Sequence, residues 1–369
     1  MALGKIALFF NRAYIDTQAC FTELAKQLAN KGFIVHLYMP VNNNNQQPFF
    51  ENQNIRIYPF PESKFEKIEF WYKIRFAKDR KYKALIGTPV DGAWLAYKVS
   101  KVQNVPYYYL ADELIDHLLN SIPQHEKKQV AGKNYISNKN AAGTIALGEE
   151  RYAIQKKINR IDYSHNYFVI PNAQSGEAKK LKSNYYRDIF NIEDRKPILL
   201  FAGTLNWSLA NKIYEETKTY SNKEYHLIFQ SRTLGLMGEN DHPFIKVSTV
   251  PIPGSMMNYA VSSADIGLAI YDRSVHETRN GFTGGKIGMY LKNQLPLITG
   301  SADNLRFFEE QGVGVYWDGD TLFDEVANKA IANKEVYMKN IPGFYKENLQ
   351  YEIFCEKFYN SLIASIKQD

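Results

Sequence analysis

Gly281-Phe282-Thr283-Gly284-Gly285-Lys286 runs straight into the apolar stretch Ile287-Gly288-Met289-Tyr290-Leu291. Glycines let a backbone approach a ligand with no Cβ in the way. The first turn of a helix presents unpaired N–H groups and the positive end of the macrodipole. A turn of this composition opening a helix is a seat for an anion, phosphate above all, and Lys286 adds a full charge to it. The alternative is a glycine-rich loop that holds nothing. Other chemical groups stand at the ends of hydrophobic runs. Asp112 and Glu113 follow Val105–Leu110, where a carboxylate can orient a hydroxyl or take its proton, or where Asp112 caps a helix. Arg232 follows the run ending Phe229-Gln230-Ser231 and suits either an anion, a surface position or a domain-interface ion pair. Thr249 and Val250 follow Ile245–Val247 and either touch a ligand or simply end a strand.

Other candidates read more plainly. Asp91-Gly92 is a turn whose aspartate caps the next helix, and Asn172 fixes a turn through its side chain. Asp318-Gly319-Asp320 comes nearest to a metal-binding pair of aspartates, but its glycine marks a turn. His117, His125 and His165 have no metal spacing and read as surface residues, and Arg273 and Arg279 as solvated neighbours of the glycine turn.

The elements that must position these groups alternate in type. Strands are expected at Ile6–Phe10, Ile34–Tyr38, Ile55–Tyr58, Ala84–Gly87, Val105–Leu110, Thr144–Leu147 and Tyr167–Ile170, with helices at Phe21–Asn30 and Ala93–Val102. Pro171-Asn172-Ala173 breaks the pattern, and a lysine-rich segment follows to about Lys196. A second alternation then runs through Ile198–Gly203, Tyr225–Phe229, Ile245–Val247, Ile266–Ile270, a helix from Lys286, and Leu295–Ile298. The pattern predicts two Rossmann-like α/β domains, residues 1–172 and 173–347, facing across a cleft. Ligands of such sheets sit at the carboxyl ends of the strands, so the cleft is the expected site.

Size and composition agree. A chain of 369 residues exceeds one ordinary core. The net charge of +6 suits a nucleic acid, an anionic membrane surface or an anionic small substrate, but no basic run is dense enough for nucleic acid. Cys20 and Cys355 are too distant to suggest a disulfide framework or zinc site. The apolar run near the N-terminus is too short for a signal peptide or a span, so a cytoplasmic setting is expected. Asn42–Asn45 reads as a surface loop. Between Glu62 and Lys83, Phe65, Ile68, Trp71, Tyr72 and Phe76 recur at helical spacing among eight basic residues. Such a helix either lies on an anionic membrane or packs its aromatic stripe on the core.

Taken in order, several short motifs resemble those of the GT-B fold glycosyltransferases, specifically the retaining group called family 4. Val169-Ile170-Pro171-Asn172-Ala173 resembles the hinge, Leu200-Phe201-Ala202-Gly203-Thr204-Leu205 the first strand and glycine loop of the second domain, and Ser263–Leu268 the segment before the donor loop. Gly284-Gly285-Lys286-Ile287 with Tyr290-Leu291 and Leu295–Ile298 resembles the donor helix and the strand after it, and Asp112-Glu113-Leu114 the polar-Glu-Leu triplet of the first domain. The terminal helix, about 348–369, resembles one that returns to pack on the first domain.

The resemblance implies an acceptor-binding first domain and a nucleotide-sugar-binding second domain. Gly203, Thr204, Arg232, Thr283, Gly284, Gly285 and Lys286 would then hold the donor diphosphate, and Thr249 and Val250 the nucleoside. Asp112, Glu113 and Glu277 are the catalytic candidates. It further implies transfer, with retention, from a UDP-sugar to a saccharide or lipid-linked acceptor in surface polysaccharide or glycolipid synthesis. No metal or cofactor is expected, and contact with the inner membrane face is the expected peripheral association. Two departures stand out. The Glu-x7-Glu signature of many members falls on Gly281 and Met289, leaving Glu277 as the nearby substitute. The usual arginine position reads Thr204, and the nearest lysine, Lys212, comes late. A non-catalytic nucleotide-sugar-binding protein or, less well, a nucleotide-sugar epimerase would share this fold.

Overall fold

The computed structural model describes residues 3–11, 19–40, 52–115, 119–120, 122–162, 164–203, 205, 208–219, 224–231, 242–271, 284–300 and 302–367. The chain divides into two compact units, Met1–Asn172 with Tyr351–Asp369, and Ala173–Gln350.

In the first unit β1 (Gly4–Phe9), β2 (Phe33–Met39), β3 (Ile55–Pro59), β4 (Ala84–Gly87), β5 (Tyr107–Ala111), β6 (Gly143–Ala146) and β7 (Tyr167–Val169) form one parallel sheet. Its order is β3-β2-β1-β4-β5-β6-β7. Strands of a parallel sheet are covered on both faces, which is why they read as near-continuous apolar runs. The covering helices are α1 (Ala19–Asn30), α2 (Lys64–Phe76), α3 (Asp91–Gln103), α4 (Gln124–Lys139) and α5 (Glu149–Ile158). On one face Ile6, Leu8, Val35 and Leu37 pack against Phe21, Leu24 and Leu28 of α1. On the other, Ala7, Phe9, Leu85 and Tyr109 meet Phe70 and Ile74 of α2 and Ala93, Ala96 and Val99 of α3.

In the second unit β8 (Ile198–Ala202), β9 (His226–Gln230), β10 (Ile245–Ser248), β11 (Ile266–Ile270), β12 (Leu297–Gly300) and β13 (Gly314–Trp317) form a parallel sheet of order β10-β9-β8-β11-β12-β13. Around it lie α6 (Tyr185–Phe190), α7 (Ser208–Thr219), α8 (Gly254–Ser262), α9 (Gly285–Lys292), α10 (Phe307–Glu310), α11 (Phe323–Ala332) and α12 (Lys334–Asn348). The last helix, α13 (Tyr351–Lys367), follows this unit in sequence but belongs to the first. Its Tyr351, Phe358 and Leu362 are buried against the first sheet, and the Tyr351 hydroxyl donates to Cys20 O at 2.7 Å.

Two strands begin later than the apolar runs suggest. Val105-Pro106 precedes β5 and Leu295-Pro296 precedes β12. Proline brings no N–H to a ladder. Each proline carbonyl still accepts a neighbouring strand's N–H, from Leu85 at 3.0 Å and from Gly267 at 2.9 Å.

A polar network lies beneath α2. His36 Nδ1 meets the Tyr82 hydroxyl at 3.1 Å, that hydroxyl meets Tyr38 Oη at 2.8 Å, and Arg80 Nη1 donates to Tyr38 Oη at 2.6 Å. The Arg80 guanidinium stacks 3.7 Å from the Tyr58 ring centre. Burial first, and then the Arg80 charge, push His36 from 6.5 down to about 4. The unfolded chain takes up this proton near pH 6.5 and the folded chain only near 4, so stability rises with pH between the two. The contribution is complete above pH 6.5 and lost as pH falls to 4. We expect a loss of about 3 kcal/mol across that window. Urea unfolding at pH 7, 5 and 4 should show it in the wild type and not in His36→Asn.

Candidate functional site

Both sheets wind the same way. Strand order reverses between β1 and β4 in the first and between β8 and β11 in the second. Chains leaving the carboxyl ends of two such strands diverge to opposite faces and open a crevice, which is where open α/β sheets bind ligands. At the second reversal those ends deliver Gly203, after β8, and Tyr271, after β11.

α9 aims its first turn at this point. Gly284 is its extended N-cap, at φ −67° and ψ 129°, and Lys286 is its second residue. The lysine side chain runs back to the strand ends. Its Nζ stands 3.5 Å from Ile270 O, 4.2 Å from the Phe201 ring centre and 4.7 Å from that of Tyr271. Gly203 has φ +142°, and a Cβ there would lie 3.5 Å from Lys286 Nζ and Cδ. A side chain at 203 would be strained by the backbone, although its Cβ would meet the lysine only at ordinary contact distance. Burial pushes Lys286 from 10.5 down to about 7. Lys286 thus sits in the first turn of a helix with its side chain drawn inward against the strand ends.

Tyr290, one turn along α9, fixes the helix. It is fully buried and its hydroxyl accepts the Ala202 N–H at 2.8 Å. Its ring lies flat against Gly267 of β11, where an added Cβ would stand 2.3 Å from Tyr290 Cγ. Tyr290 therefore pins α9 to both strands of the reversal.

Gln230, the last residue of β9, went unnoticed in the sequence because it closes an apolar run just before an arginine. Its backbone carbonyl accepts the Gly203 N–H at 2.9 Å, and its Nε2 donates to Val250 O at 2.9 Å. It ties the chain after β10 to the same sheet edge. Thr249 there is half-buried and Val250 is exposed.

Gly203, Gly284, Gly285 and Lys286 are thus brought together, with Thr249 and Val250 along the same edge. Thr204, Arg232, Arg273, Glu277, Arg279, Gly281 and Thr283 lie outside the described residues. Lys212 is turned to Gly319 O and Glu216. In the first unit Asp112 directly follows β5, 3% exposed, with its carbonyl accepting from Arg151 Nη1 at 2.8 Å; Glu113 is half-buried.

Three expectations need correction. Asp91 does not cap α3: Val90 holds that position, and the Asp91 carboxylate binds Lys133 Nζ at 3.0 Å and Asn11 Nδ2 at 3.3 Å. Asn172 Oδ1 accepts the Cys20 N–H at 3.1 Å, securing the start of α1 rather than its own turn. His165 is half-buried, with Nε2 2.9 Å from Thr144 Oγ1, whereas His125 is exposed and His117 lies outside the described residues. Asp318 Oδ1 does take the turn role, accepting from Asp320 N, Thr321 N and Thr321 Oγ1.

No family model matches the sequence, and no curated protein matches it. Solved structures do. A sucrose-phosphate synthase from Thermosynechococcus elongatus matches with a TM-score of 0.69 at 13% identity, covering 98% of this chain and 100% of that one. HepE from Anabaena, in complex with UDP-glucose, matches with a TM-score of 0.69 at 12% identity over 98% and 99% of the two chains. WaaG, a glycosyltransferase of lipopolysaccharide biosynthesis, matches with a TM-score of 0.65 at 13% identity over 96% and 98%. The fold is therefore α/β with two Rossmann-like units, as in these GT-B glycosyltransferases. No helix among the described residues is long and apolar enough to cross a membrane.

Proposed function

We propose that this protein is a glycosyltransferase that moves a sugar from a nucleotide-sugar, a UDP-sugar first among them, to a saccharide or lipid-linked acceptor. The observation that carries the proposal is the meeting of Lys286, the first turn of α9 and Gly203 at the strand reversal of the second sheet. In such a transfer the bond between the anomeric carbon and the β-phosphate oxygen breaks and charge grows on the diphosphate. Fixed donors aimed at that charge lower the barrier. Lys286 and the α9 amides supply them, so the proposed reaction needs no metal. Thr204, Arg232 and Thr283 are proposed to complete the diphosphate seat, Thr249 and Val250 to border the nucleoside, and Glu277 to face the sugar. The first unit is proposed to hold the acceptor, with Asp112 or Glu113 orienting its hydroxyl. Retention, and a role in surface polysaccharide or glycolipid synthesis, complete this reading.

Gly281 and Met289, at the positions of the two signature glutamates, favour a second reading: a nucleotide-sugar-binding protein that does not transfer. Calorimetry with nucleoside diphosphates tests the site. UDP should bind, and at pH 8 binding should take up close to one proton, seen as a heat that varies with buffer ionisation enthalpy. The sign follows from Lys286, neutral above about 7 in the free protein and charged beside a diphosphate. Affinity should therefore fall by about tenfold per pH unit above 7. No heat with any nucleoside diphosphate, or an affinity flat from pH 7 to 9, would reject the site. Slow hydrolysis of a bound UDP-sugar marks the enzyme; binding without turnover across an acceptor panel marks the second reading.

A further inference from the structure

The amino ends of β1 and β4 border an open recess of about 610 Å³, at the edge of the first sheet opposite Asp112. Sites for small molecules span about 300–1,000 Å³. Lys5, Lys78, Lys81 and Lys83 line this one, and among the described residues no carboxylate does. Asp79, the nearest in sequence, turns instead to Arg80 Nε at 3.5 Å. Lys81 Nζ donates to Arg75 O at 3.3 Å, which leaves its charge uncompensated. The ammonium groups of Lys5, Lys78 and Lys83 make no hydrogen bond or ion pair among the described residues. Four like charges around one recess repel, and a polyanion bound among them relieves that repulsion.

The chain holds the recess in shape. Gln103 Nε2 donates to Ile74 O at 3.0 Å and to Arg80 O at 2.7 Å, and its Oε1 accepts the Tyr82 N–H at 3.0 Å. One side chain thereby fixes the end of α2 and the segment that carries Lys81. Ile6 pairs with Ala84, so Lys5 and Lys83 stand side by side one residue earlier, and the Lys83 N–H donates to Lys5 O at 2.8 Å. Gly4 has φ +128°, and a Cβ there would lie 2.7 Å from Lys83 Cγ. The bare backbone at residue 4 is therefore the surface on which the Lys83 stem rests.

We infer that this recess, built wholly from the first unit, binds a small soluble polyphosphate. Lysine meets phosphate oxygens as a point charge. Each phosphate carries at most about two negative charges near pH 7, so about two or three linked phosphates match four ammonium groups. This site goes beyond the donor seat and does not depend on it.

Calorimetry of the full chain with inorganic tripolyphosphate tests it, on the wild type in excess UDP and on Lys286→Met. Both should bind one equivalent, at least tenfold more weakly at about 0.5 M than at about 0.1 M salt. Lys5→Ala/Lys83→Ala and Lys78→Ala/Lys81→Ala should each weaken binding tenfold or more, and neither should lower the melting temperature. Lys64→Ala/Lys67→Ala, at exposed positions opening α2, should bind as the wild type does. No heat from tripolyphosphate in the wild type overturns the inference, as does wild-type affinity in both recess variants. An equal loss in Lys64→Ala/Lys67→Ala marks unspecific attraction, and a loss in Lys286→Met marks the donor seat; either overturns it. Vesicles with one-third phosphatidylglycerol separate a lipid headgroup from a free anion: capture by them, with no heat from tripolyphosphate, overturns it too.

Discussion

Replacing Lys286 by methionine should weaken nucleotide binding about 100-fold and make the free protein more stable. Methionine nearly matches the lysine in length and fills the space between Phe201, Tyr271 and Gly203 without a charge to hydrate. A charge-assisted contact to a diphosphate is worth about 1.5–3 kcal/mol, so UDP affinity should fall about 100-fold. In the free protein the lysine is a burden. The unfolded chain binds its proton up to pH 10.5 and the folded chain only up to about 7. The unfolded state therefore holds the extra proton between those values, and wild-type stability rises with pH across them. Lys286→Met should be more stable by about 2 kcal/mol at pH 7, and the gap should narrow by pH 9. Urea unfolding at the two pH values and a UDP titration check both halves. A variant that binds UDP within twofold of the wild type would remove Lys286 from the site.

Gly267→Ala should damage fold and site together. The new methyl would stand 2.3 Å from Tyr290 Cγ and 2.4 Å from Cδ2, well inside contact distance. The ring has nowhere to go: it is fully buried, and its hydroxyl is committed to the Ala202 N–H. Overpacking of this kind costs about 1–3 kcal/mol, and a lost buried hydrogen bond adds about 1. A fall in melting temperature of about 8 °C follows for a unit of this size. Because Tyr290 pins α9, UDP affinity should fall as well. Gly267→Ala/Tyr290→Leu should recover part of the stability by clearing the clash, a coupling that a double-mutant cycle measures. A melting temperature within 2 °C of the wild type in the single variant would show that Tyr290 is not the clamp described here.

Much of this architecture was legible because buried parallel strands announce themselves as apolar runs. The glycine-rich turn into α9 was equally open to view. What Lys286 reaches was not. A lysine in the first turn of a helix can point to water, and only the adjacency of β8 and β11, far apart in sequence, turns it inward. Tyr290 and Gly267 look like ordinary core residues until the ring is seen lying on the glycine. Gln230 acts through a carbonyl twenty residues away, which no local pattern reports. In α2 the inward pair Phe70 and Ile74 is interleaved with exposed Phe65, Ile68, Tyr72 and Phe76, and spacing alone does not say which face meets the sheet.

The return of α13 to the first sheet sets a schedule for biosynthesis. The ribosome makes the strands of that sheet first, yet Tyr351, Phe358 and Leu362, which seal one side of it, emerge some 180 residues after β7. At typical elongation rates that interval is about 10–40 s, during which Leu8, Leu37 and Tyr108 lack part of their cover. A nascent chain at this stage is a natural client for holding chaperones, and premature termination before residue 351 leaves that apolar surface permanently open to proteolytic clearance.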